Sequence, residues 1–493
     1  MLDRVYRGGL GLVTDLYELT MAYAYWRSGR GEQEAVFNVL FRSNPFEGGF
    51  TLSCGQATVM EYLERFRFEA DDLEYLAGLV GSDGKPLFQR DFLGYLSELR
   101  CSCDLDVVPE GRVVFPQEPI ARVRGPIIQA QLLETALLNI LNFQSLIATK
   151  AARVCMAAQG EPVIEFGLRR AQGIDGGLSA SRAAYVGGCV ATSNVLAGKL
   201  YGIPVRGTQA HSWIMSFETE LDAFRAYAES MPNNCVFLVD TYETLQGVRH
   251  AVEIGRWLRE RGQRLLGIRL DSGDLAYLSI QARKILDDAG FTDTTILASN
   301  ELDEHVITSL KLQGAKIVVW GVGTRLVTGY DHPALGGVYK LTAVRPRGGK
   351  WEHRIKVSEQ AAKITTPGVL QVRRYFAGGE FIGDMIYDEE YPPPADAVMA
   401  DPLDMTRRKH FPSGSPYEEL LVPVYRGGKR VYDPPPLEQV RRYAQEELSR
   451  FHGGIKRLVN PHIYPVGLEL GLHQRKTRLV LRARGLNNSA LAP

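Results

Sequence analysis

Short apolar segments alternate with amphipathic ones through the middle of the chain, and this alternation is the strongest pattern in the sequence. Strands are predicted at residues 162–166, 185–190, 203–206, 236–239, 265–270, 295–298 and 316–320, with helices at 218–230, 242–261, 274–289 and 301–313. Strands that are apolar throughout and alternate with helices are typical of a parallel sheet covered on both faces. Seven of them within about 160 residues favour an irregular (β/α) barrel over an open, doubly wound sheet.

The two ends of the chain differ from this central region. Helices are predicted at 15–28, 55–66 and 71–79, and alternating strands at 34–42, 105–115, 337–344, 369–376 and 419–424. Proline runs at 392–394 and 434–436 mark turns or linkers. We therefore predict an α/β protein that combines an irregular (β/α) barrel with a second, split α+β domain built from N- and C-terminal segments. The predicted boundaries are 1–125 and 341–493 for the split domain and 126–340 for the barrel.

Composition removes several classes of protein. The 493 residues carry 57 Lys and Arg against 57 Asp and Glu, so there is no net charge with which to bind nucleic acid in bulk. The apolar-rich region 127–158 is interrupted by polar residues and predicts a buried helix or helix pair rather than a membrane span. Six scattered cysteines and an N-terminus without a signal pattern indicate a reducing compartment. We expect a cytoplasmic protein with no nucleic-acid and no membrane partner, and a solvated face for the basic segment 475–484.

Polar residues cluster where the predicted strands end. In a (β/α) barrel, side chains at the carboxyl ends of the strands and in the following loops converge on one site. Arginine suits carboxylate or phosphate groups, and glycines let backbone N–H groups approach an oxyanion. The set predicts an active site for phosphate chemistry at one end of the barrel. Its candidate residues are Arg169, Arg170, Thr208, His211, Asp240, Arg269, Asp271, Ser272, Gly273, Asp274, Asn300, Gly321, Gly323 and Thr324.

Three aspartates and one histidine carry the candidate chemistry. Asp271 and Asp274 can hold a hydrated Mg²⁺ on a pyrophosphate or bind ribose hydroxyls, although Asp274 alternatively caps the next helix. His211 lies in a glycine–threonine turn, and we expect Asp240 beside it at the next strand end. A carboxylate on one ring nitrogen fixes the tautomer and leaves the other nitrogen as a nucleophile or base.

Taken in order, several segments resemble the nicotinate phosphoribosyltransferase family, a group of type II phosphoribosyltransferases. The resemblance implies an irregular (β/α) barrel with a split α+β domain, in agreement with the pattern of elements. The segments are 14–20 (TDLYELT), 166–170 (FGLRR), 207–212 (GTQAHS), 269–274 (RLDSGD), 321–324 (GVGT) and 336–341 (GGVYKL), with a weaker echo at 460–462 (NPH).

The resemblance also implies a reaction. Nicotinate and 5-phosphoribosyl-1-pyrophosphate would give nicotinate mononucleotide and pyrophosphate, a step of NAD salvage, with ATP as co-substrate and Mg²⁺ or Mn²⁺ as cofactor. The positions that match the family's site are His211 for its phosphorylated histidine, Tyr17, Thr208 and Arg269 for its nicotinate contacts, and Thr324 for a phosphoribosyl contact.

Further roles follow from the same resemblance. Asp240 is expected to support the histidine, and Asp271 to act as the barrel carboxylate and metal ligand. A homodimer is expected, and Tyr17 would reach the barrel from the same or the other subunit. Arg325 has no assigned role. The remaining residues predicted to bind substrate are Arg169, Ser272, Gly273, Asn300, Gly321 and Gly323.

Other functions are compatible with these elements. A nicotinamide or quinolinate phosphoribosyltransferase would share the fold, although quinolinate enzymes are shorter and lack the His211 turn, and nicotinamide enzymes differ at 207–212. A barrel aldolase or lyase would normally need a lysine or a metal triad at a strand end, and no such lysine appears there. A non-catalytic nucleotide-binding regulator would not require His211, Asp240 and Asp271. Nicotinate phosphoribosyl transfer is therefore the leading prediction.

Overall fold

The chain forms two compact units, each assembled from separate stretches of sequence. In the computed structural model, which describes residues 8–486, the first unit contains 8–145, 334–436 and 446–486, and the second contains 146–333 and 437–445. No helix in this part of the chain is long and apolar enough to cross a membrane. The boundaries at 125/126 and 340/341 stay a prediction, because a compact unit is not necessarily a domain that folds alone.

The second unit is built on a sheet of six parallel strands. Their order across the sheet is Ala191–Thr192, Val163–Glu165, Val319–Val322, Thr295–Ala298, Gly267–Leu270, Val236–Leu238. The first and last strands in the sequence are therefore neighbours, as in a barrel. Within residues 8–486 the two edge strands do not pair with each other, and the sheet is a half-barrel. The predicted fold class, a barrel-like α/β unit with a second unit, is confirmed. The strands are Val163–Glu165 (β1), Ala191–Thr192 (β2), Val236–Leu238 (β3), Gly267–Leu270 (β4), Thr295–Ala298 (β5) and Val319–Val322 (β6).

Helices follow these strands and bury one face each. Helix Thr244–Glu260 shows why, because its apolar residues recur at helical spacing, with Val248, Ala251 and Leu258 buried on one side. Most residues of the strands are apolar and buried, and Phe237 in β3 is fully buried. The helices of this unit are Ile174–Val186, Val195–Tyr201, His211–Met215, Glu220–Ser230, Thr244–Glu260, Leu275–Asp288, Glu304–Leu312 and Thr324–Val327, with a 3₁₀ turn at Leu168–Arg170.

Two of the predicted strands of this unit are wrong. The segment predicted at 185–190 ends helix Ile174–Val186 and passes through a turn, and the strand follows at Ala191–Thr192. A short apolar run looks the same in a buried helix and in a buried strand, so the pattern alone could not separate them. The segment predicted at 203–206 makes only a single bridge, between Val205 and Thr192. The other five strands lie within a few residues of their predicted positions.

The first unit brings N- and C-terminal segments into common sheets. In a seven-stranded sheet, strand Glu34–Phe41 lies between Ala121–Pro126 and Gly337–Arg345 and pairs with both antiparallel. The order of that sheet is Glu352–His353, Gly337–Arg345, Glu34–Phe41, Ala121–Pro126, Asp104–Val107, Val422–Arg426, Lys429–Arg430. A six-stranded sheet has the order Arg408–Phe411, Ala397–Ala400, Val466–Glu469, Glu380–Asp388, Leu370–Ala377, Tyr417–Glu419, and a small sheet pairs Thr51–Leu52 with Val113–Val114.

Helices complete this unit. The segment 127–158, predicted as a buried helix or helix pair, forms the pair Ile127–Leu132 and Glu134–Ala158. The second of these helices continues into the second unit. Helix Leu437–Ser449 also belongs to both units. The other helices are Leu16–Arg27, Gln56–Glu64, Ala70–Ala77, Arg90–Glu98 and Leu470–Ala483, with 3₁₀ turns at Pro45–Glu47, Ala361–Lys363 and Gly453–Lys456.

A buried ion network holds the core of the six-stranded sheet. The Arg374 side chain is fully buried, and its Nη2 and Nη1 donate to Asp384 (2.6 Å) and Glu447 (2.7 Å). The guanidinium carbon lies 5.1 Å from the ring centres of Phe381 and Phe451. Burial opposes the charge, but the two carboxylates outweigh it, and the pKa of Arg374 lies well above its ordinary value.

Candidate active site

Arg269 is the hub of the polar residues at the carboxyl ends of the barrel strands. It lies in β4, and its Nη1 donates to Thr208 Oγ1 (3.0 Å) and to the Gln209 carbonyl (3.3 Å). Nη2 donates to Asp271 Oδ1 (3.0 Å) and Nε to Ser299 Oγ (2.9 Å). A guanidinium has five N–H groups, so these four bonds leave one free for a ligand. Arg269, Thr208 and Asp271 thus lie in contact, as predicted. With one N–H left, however, Arg269 cannot make the expected bidentate contact with a carboxylate or phosphate.

Asp271 follows β4 and is held in its ionised form. Its Oδ1 accepts from both Arg269 and the Ser299 hydroxyl, whereas within residues 8–486 its Oδ2 has no hydrogen-bond donor. Burial opposes ionisation, but the Ser299 hydrogen bond and the Arg269 charge outweigh it, so the pKa of Asp271 lies below its ordinary value. Asp271 therefore presents one carboxylate oxygen to the site.

His211 starts the short helix His211–Met215 beside this carboxylate. Its Nδ1 lies 3.1 Å from the Thr241 hydroxyl, and its Nε2 lies 3.7 Å from Asp271 Oδ2. The side chain is 38% exposed, so a ligand can approach the ring. We expected Asp240 on one ring nitrogen. Instead, the neighbour of Nδ1 is Thr241, and the nearby carboxylate is Asp271.

Asp240 supports the turn after β4 rather than the histidine. Its Oδ2 accepts from the Asp271 backbone N–H (2.7 Å) and from the Ser272 hydroxyl (2.6 Å). Its Oδ1 is buried without a hydrogen-bond partner among the described residues. Asp240 is only 8% exposed, and a buried carboxylate oxygen without a partner is uncommon in proteins. This oxygen therefore lacks the donor or cation that a buried carboxylate oxygen ordinarily has.

Two residues of the turn after β4, Gly273 and Asp274, have structural roles. Gly273 has φ +77°, and a Cβ atom there would lie 2.8 Å from the Leu278 side chain, so the turn requires glycine. Asp274 caps helix Leu275–Asp288 by accepting from the Tyr277 backbone N–H (3.0 Å). The helix-cap alternative for Asp274 is confirmed.

The glycines at β6 pack more closely than a phosphate loop requires. Gly321 lies inside β6, not in the loop after it, and a Cβ atom there would lie 2.7 Å from the Phe166 ring. A Cβ at Gly323 would lie 3.2 Å from the Phe166 carbonyl oxygen. Thr324 is half-buried at the start of helix Thr324–Val327, and its hydroxyl has no hydrogen-bond partner in the described part of the chain. Of this turn, only Thr324 offers a side-chain donor.

Arg169 and Arg170 lie exposed on the 3₁₀ turn after β1, and neither makes an ion pair within residues 8–486. The buried carboxylate of Glu165 anchors this turn. It accepts from the Gly167 backbone N–H and from the hydroxyls of Ser181 (2.8 Å) and Thr192 (2.6 Å). Because β1 and β4 are parallel strands of one sheet, the two arginines follow the same edge as Arg269.

The turn after β5 has an unusual backbone. Asn300 and Glu301 both have positive φ, +90° and +45°, and both side chains are exposed. Non-glycine residues are uncommon in this conformation and occur often at functional sites. Arg325 holds the turn by donating to Asp303 and Glu301. The sequence assigned no role to Arg325, and its role here is to anchor the turn that carries Asn300.

Tyr17 belongs to the first unit, in helix Leu16–Arg27, with its side chain 46% exposed. Burial, Glu134 and Glu18 raise the pKa of Tyr17, so the phenol stays protonated and can donate a hydrogen bond. Its contact with the barrel site stays a prediction.

Three residues at the strand ends were missed by the sequence analysis. Phe166 places its ring 5.9 Å from the Arg269 guanidinium, and Thr241 touches His211. Gln209 is 6% exposed, and both polar atoms of its side chain are buried without partners in the described residues. Only the position of Gln209 between Thr208 and His211 could have indicated it. The neighbours of Phe166 and Thr241 depend on side-chain directions that no spacing shows.

No group of three or more His, Cys, Asp or Glu residues among 8–486 is arranged to hold a metal ion. The residues fit Mg²⁺ in another way, because this ion keeps waters and substrate oxygens and takes only one or two carboxylates. Asp271 Oδ2 and Asp240 Oδ1 are the two carboxylate oxygens of the site without donors among these residues.

A half-barrel with an arginine, two aspartates and a histidine at its strand ends defines an enzyme of the (β/α)-barrel class. Family models for nicotinate phosphoribosyltransferase match the chain in three parts: the N-terminal domain at 12–142, the family model at 162–357 and the C-terminal domain at 371–476. The nicotinate phosphoribosyltransferase of Bacillus subtilis (strain 168) is 45% identical over 468 residues, which cover 93% of each chain. The chain belongs to the nicotinate phosphoribosyltransferase family.

Similar proteins occur in distantly related organisms. The nicotinate phosphoribosyltransferase of Caenorhabditis elegans is 36% identical over 526 residues, covering 94% of this chain and 92% of the relative. The crystal structure of human nicotinic acid phosphoribosyltransferase superposes with a TM-score of 0.83 at 32% identity, covering 95% of this chain and 100% of the human one. Both units of the fold are therefore shared with that enzyme.

Proposed function

We propose that this enzyme transfers the phosphoribosyl group of 5-phosphoribosyl-1-pyrophosphate to nicotinate, giving nicotinate mononucleotide and pyrophosphate, a step of NAD salvage. ATP hydrolysis is coupled to the transfer. The observation that carries the proposal is the Arg269–Asp271–His211 arrangement at the strand ends of a member of this family. It combines a donor for a carboxylate, a fixed negative charge and an accessible imidazole.

Nicotinate is a planar anion, and Arg269 is the proposed partner of its carboxylate. The remaining N–H of the Arg269 guanidinium donates to one oxygen of the nicotinate carboxylate. The Thr208 hydroxyl, which accepts a hydrogen bond from Arg269, lies beside this contact. Phe166, whose ring faces Arg269, supplies an apolar wall for the pyridine ring. Tyr17 remains a proposed nicotinate contact, as the resemblance to the family implies. The charge of Arg269 favours the acid over nicotinamide, whose amide is neutral.

The transfer breaks the bond between the ribose anomeric carbon and the pyrophosphate oxygen, and it forms a bond from that carbon to the pyridine nitrogen. Positive charge develops on the sugar while negative charge moves to the leaving pyrophosphate. The unpaired Arg169 and the hydroxyl of Thr324 are the proposed contacts for the phosphates. Ser272, Gly273 and Asn300 remain proposed substrate contacts on the neighbouring turns.

Mg²⁺, or Mn²⁺ in its place, is the proposed cofactor. Asp271 Oδ2 and Asp240 Oδ1 would hold it together with phosphate oxygens and water. When bound, the ion neutralises charge on the phosphates. The residues of the chain act beside it: Arg269 orients nicotinate, and the Asp240 carboxylate fixes the turn that carries Asp271.

His211 is the proposed acceptor of a phosphoryl group from ATP. In the tautomer that donates its Nδ1 proton to Thr241, the lone pair of Nε2 is free to attack the γ-phosphorus. A bond forms between Nε2 and phosphorus while the bond to the ADP oxygen breaks, and ADP leaves. Water later takes the phosphoryl group from the histidine. The 38% exposure of the ring gives ATP access to it.

Two further properties are proposed. A homodimer is supported by exposed apolar side chains on helix Val195–Tyr201, where Val195 and Leu200 are 71% and 55% exposed. Light scattering on the purified protein tests it, and a monomeric mass would contradict it.

A cytoplasmic location is supported by six cysteines that are all free thiols.

The direct test is product formation with nicotinate, 5-phosphoribosyl-1-pyrophosphate and Mg²⁺, with and without ATP. We expect nicotinate mononucleotide in both cases and faster turnover with ATP. Nicotinamide and quinolinate in place of nicotinate serve as controls for the two alternative transferases. Equal or faster product formation from either of them would replace the proposed substrate, and no turnover with any would favour a non-catalytic nucleotide-binding regulator.

A further inference from the structure

A cavity of about 750 Å³ lies in the first unit, and its wall is strongly basic. This volume is within the range of small-molecule sites. Among its lining residues the only carboxylate is Asp401. Of the segments that resemble the family, 460–462 reaches the cavity through Pro461 and His462. The cationic side chains on the wall are Arg42, Arg407, Arg408, Lys409 and Lys476.

Lys476 is the most telling of these residues. The basic segment 475–484 was predicted to be a solvated face, and Arg478, Arg482 and Arg484 are exposed. Lys476, in helix Leu470–Ala483, instead lines the cavity. Its Nζ donates to Thr366 Oγ1 (3.2 Å), and within residues 8–486 it has no carboxylate partner. Burial lowers the pKa of Lys476 to about 8. A largely buried ammonium with a single neutral partner is costly, and a bound anion would remove that cost.

The neighbouring cations are also poorly neutralised. Arg407 Nη1 is 3.9 Å from Asp401 Oδ2, beyond hydrogen-bond distance. Arg408 and Lys409 donate only to backbone carbonyls, those of Met405 and Ile382. The positive field reaches further into the unit, because burial together with the charges of Lys476 and Arg408 lowers the pKa of His473. The wall therefore carries an excess of positive charge directed at empty volume.

The cavity also has an apolar side. Leu403 and Ile463 line it and are 65% and 72% exposed, although both are large aliphatic residues. Phe115 and Tyr464 also line the cavity and stack with ring centres 4.2 Å apart. A bare inorganic anion would use only the cations, whereas an organic body would bury the exposed aliphatic side chains.

We propose that this cavity binds a phosphorylated organic molecule of nucleotide size. Its phosphates contact Lys476 and Arg408, and its organic body covers Leu403 and Ile463. All of the lining residues belong to the first unit, so the proposal does not rest on the reaction assigned to the barrel residues.

Photoaffinity labelling with 8-azido-ATP, followed by digestion and mass spectrometry, tests the proposal on the full-length protein. We expect labelled peptides from 399–409 or 461–466, and labelling there that falls roughly tenfold or more in Lys476→Met because a charge-assisted contact is lost. Lys284→Met, at an exposed lysine of the second unit, is the matched control and should label as the wild type. Arg269→Ala should keep the label in these peptides.

Competition experiments distinguish binding of the whole phosphorylated molecule from binding of its phosphate group alone. AMP should displace the label at lower concentration than inorganic phosphate, and equal displacement would overturn the proposed organic contact. Label confined to barrel peptides, an absence of label, or cavity labelling unchanged in Lys476→Met would overturn the site itself. If Lys476→Met fails to fold by circular dichroism, Arg408→Gln at the exposed rim replaces it, with the same expected loss.

Discussion

Arg269 in the barrel unit pairs with one carboxylate and Arg374 in the first unit with two, and the surroundings of the two guanidinium groups differ. Arg374 is fully buried, binds Asp384 and Glu447, and lies against aromatic rings. Arg269 is 14% exposed, and its carboxylate partner Asp271 keeps one oxygen without a donor in the described residues. The first arrangement is closed and serves stability. The second is left incomplete, and a ligand can complete it.

The same contrast separates the carboxylates. Glu447 and Asp384 are buried against one guanidinium, so removal of that guanidinium strands two charges in a low-dielectric core. Asp240 and Asp271 each present an oxygen without a donor at a strand end. Incomplete hydrogen bonding in a buried or half-buried carboxylate is costly, and its presence at one edge of the half-barrel indicates function.

Arg374→Ala should have the largest effect on stability. Loss of the guanidinium leaves Asp384 and Glu447 without their main partner, and we expect the free energy of unfolding to fall by about 3–5 kcal/mol. Guanidinium unfolding followed by circular dichroism measures it. Arg264→Ala, which breaks the exposed pair with Asp293, is the control and should cost about 1 kcal/mol or less. A similar small loss in both variants would contradict the closed character of the Arg374 network.

Arg269→Ala should affect substrate binding more than stability, the opposite of Arg374→Ala. We expect the KM for nicotinate to rise roughly 10- to 100-fold because a charge-assisted contact to the carboxylate is lost, with a smaller loss of stability than in Arg374→Ala. Steady-state kinetics measures the KM for nicotinate, and thermal unfolding of the same samples measures the loss of stability. Arg261→Ala, at a half-exposed arginine that follows helix Thr244–Glu260 and precedes the amino end of β4, is the control. An unfolded variant, or an unchanged KM, would make Arg269 a structural residue.

Thr241→Val should produce a moderate effect confined to the histidine. The substitution keeps the side-chain shape but removes the hydroxyl at Nδ1, so His211 loses the contact that fixes its ring. We expect the rate of ATP hydrolysis to fall roughly tenfold while the KM for nicotinate stays near its original value. Thr308→Val, on helix Glu304–Leu312, is the matched control. Equal losses in both kinetic constants would contradict a role restricted to the histidine.

Asp271→Asn should show the smallest effect on stability and a distinct pH dependence. Because the pKa of Asp271 is below its ordinary value in the folded protein, its ionised form adds stability above the unfolded pKa of about 4, and that stability is lost as the pH falls through the folded pKa. Thermal unfolding of wild type and variant between pH 7 and pH 3 should give Tm values that converge at the acid end. A constant difference would show that ionisation of Asp271 is not involved.

The sequence indicated the parts of this molecule that depend on local pattern. The strands predicted at 236–239 and 295–298 and the helix predicted at 274–289 lie close to their observed positions, because periodicity reports burial directly. The residues that follow the strands were correctly placed at one edge of a sheet. Parallel topology is sufficient for that inference, since it brings all carboxyl ends together.

Pairwise contacts could not be obtained in this way. The sequence placed Asp240 beside His211, whereas Thr241, one position later, makes the contact. Neighbouring residues at a strand end point in opposite directions, so a shift of one residue changes which side chain faces the site. The glycine at 321 was assigned to a phosphate loop, but close packing against Phe166 accounts for it.

The central claim, that the barrel edge couples ATP hydrolysis to phosphoribosyl transfer through His211, is tested most directly in the His211→Ala variant. The measurement is the ratio of ATP hydrolysed to nicotinate mononucleotide formed, in wild type and variant under the same conditions. The account predicts slow product formation that no longer responds to ATP, with the ratio falling toward zero. An unchanged ratio in His211→Ala would contradict it.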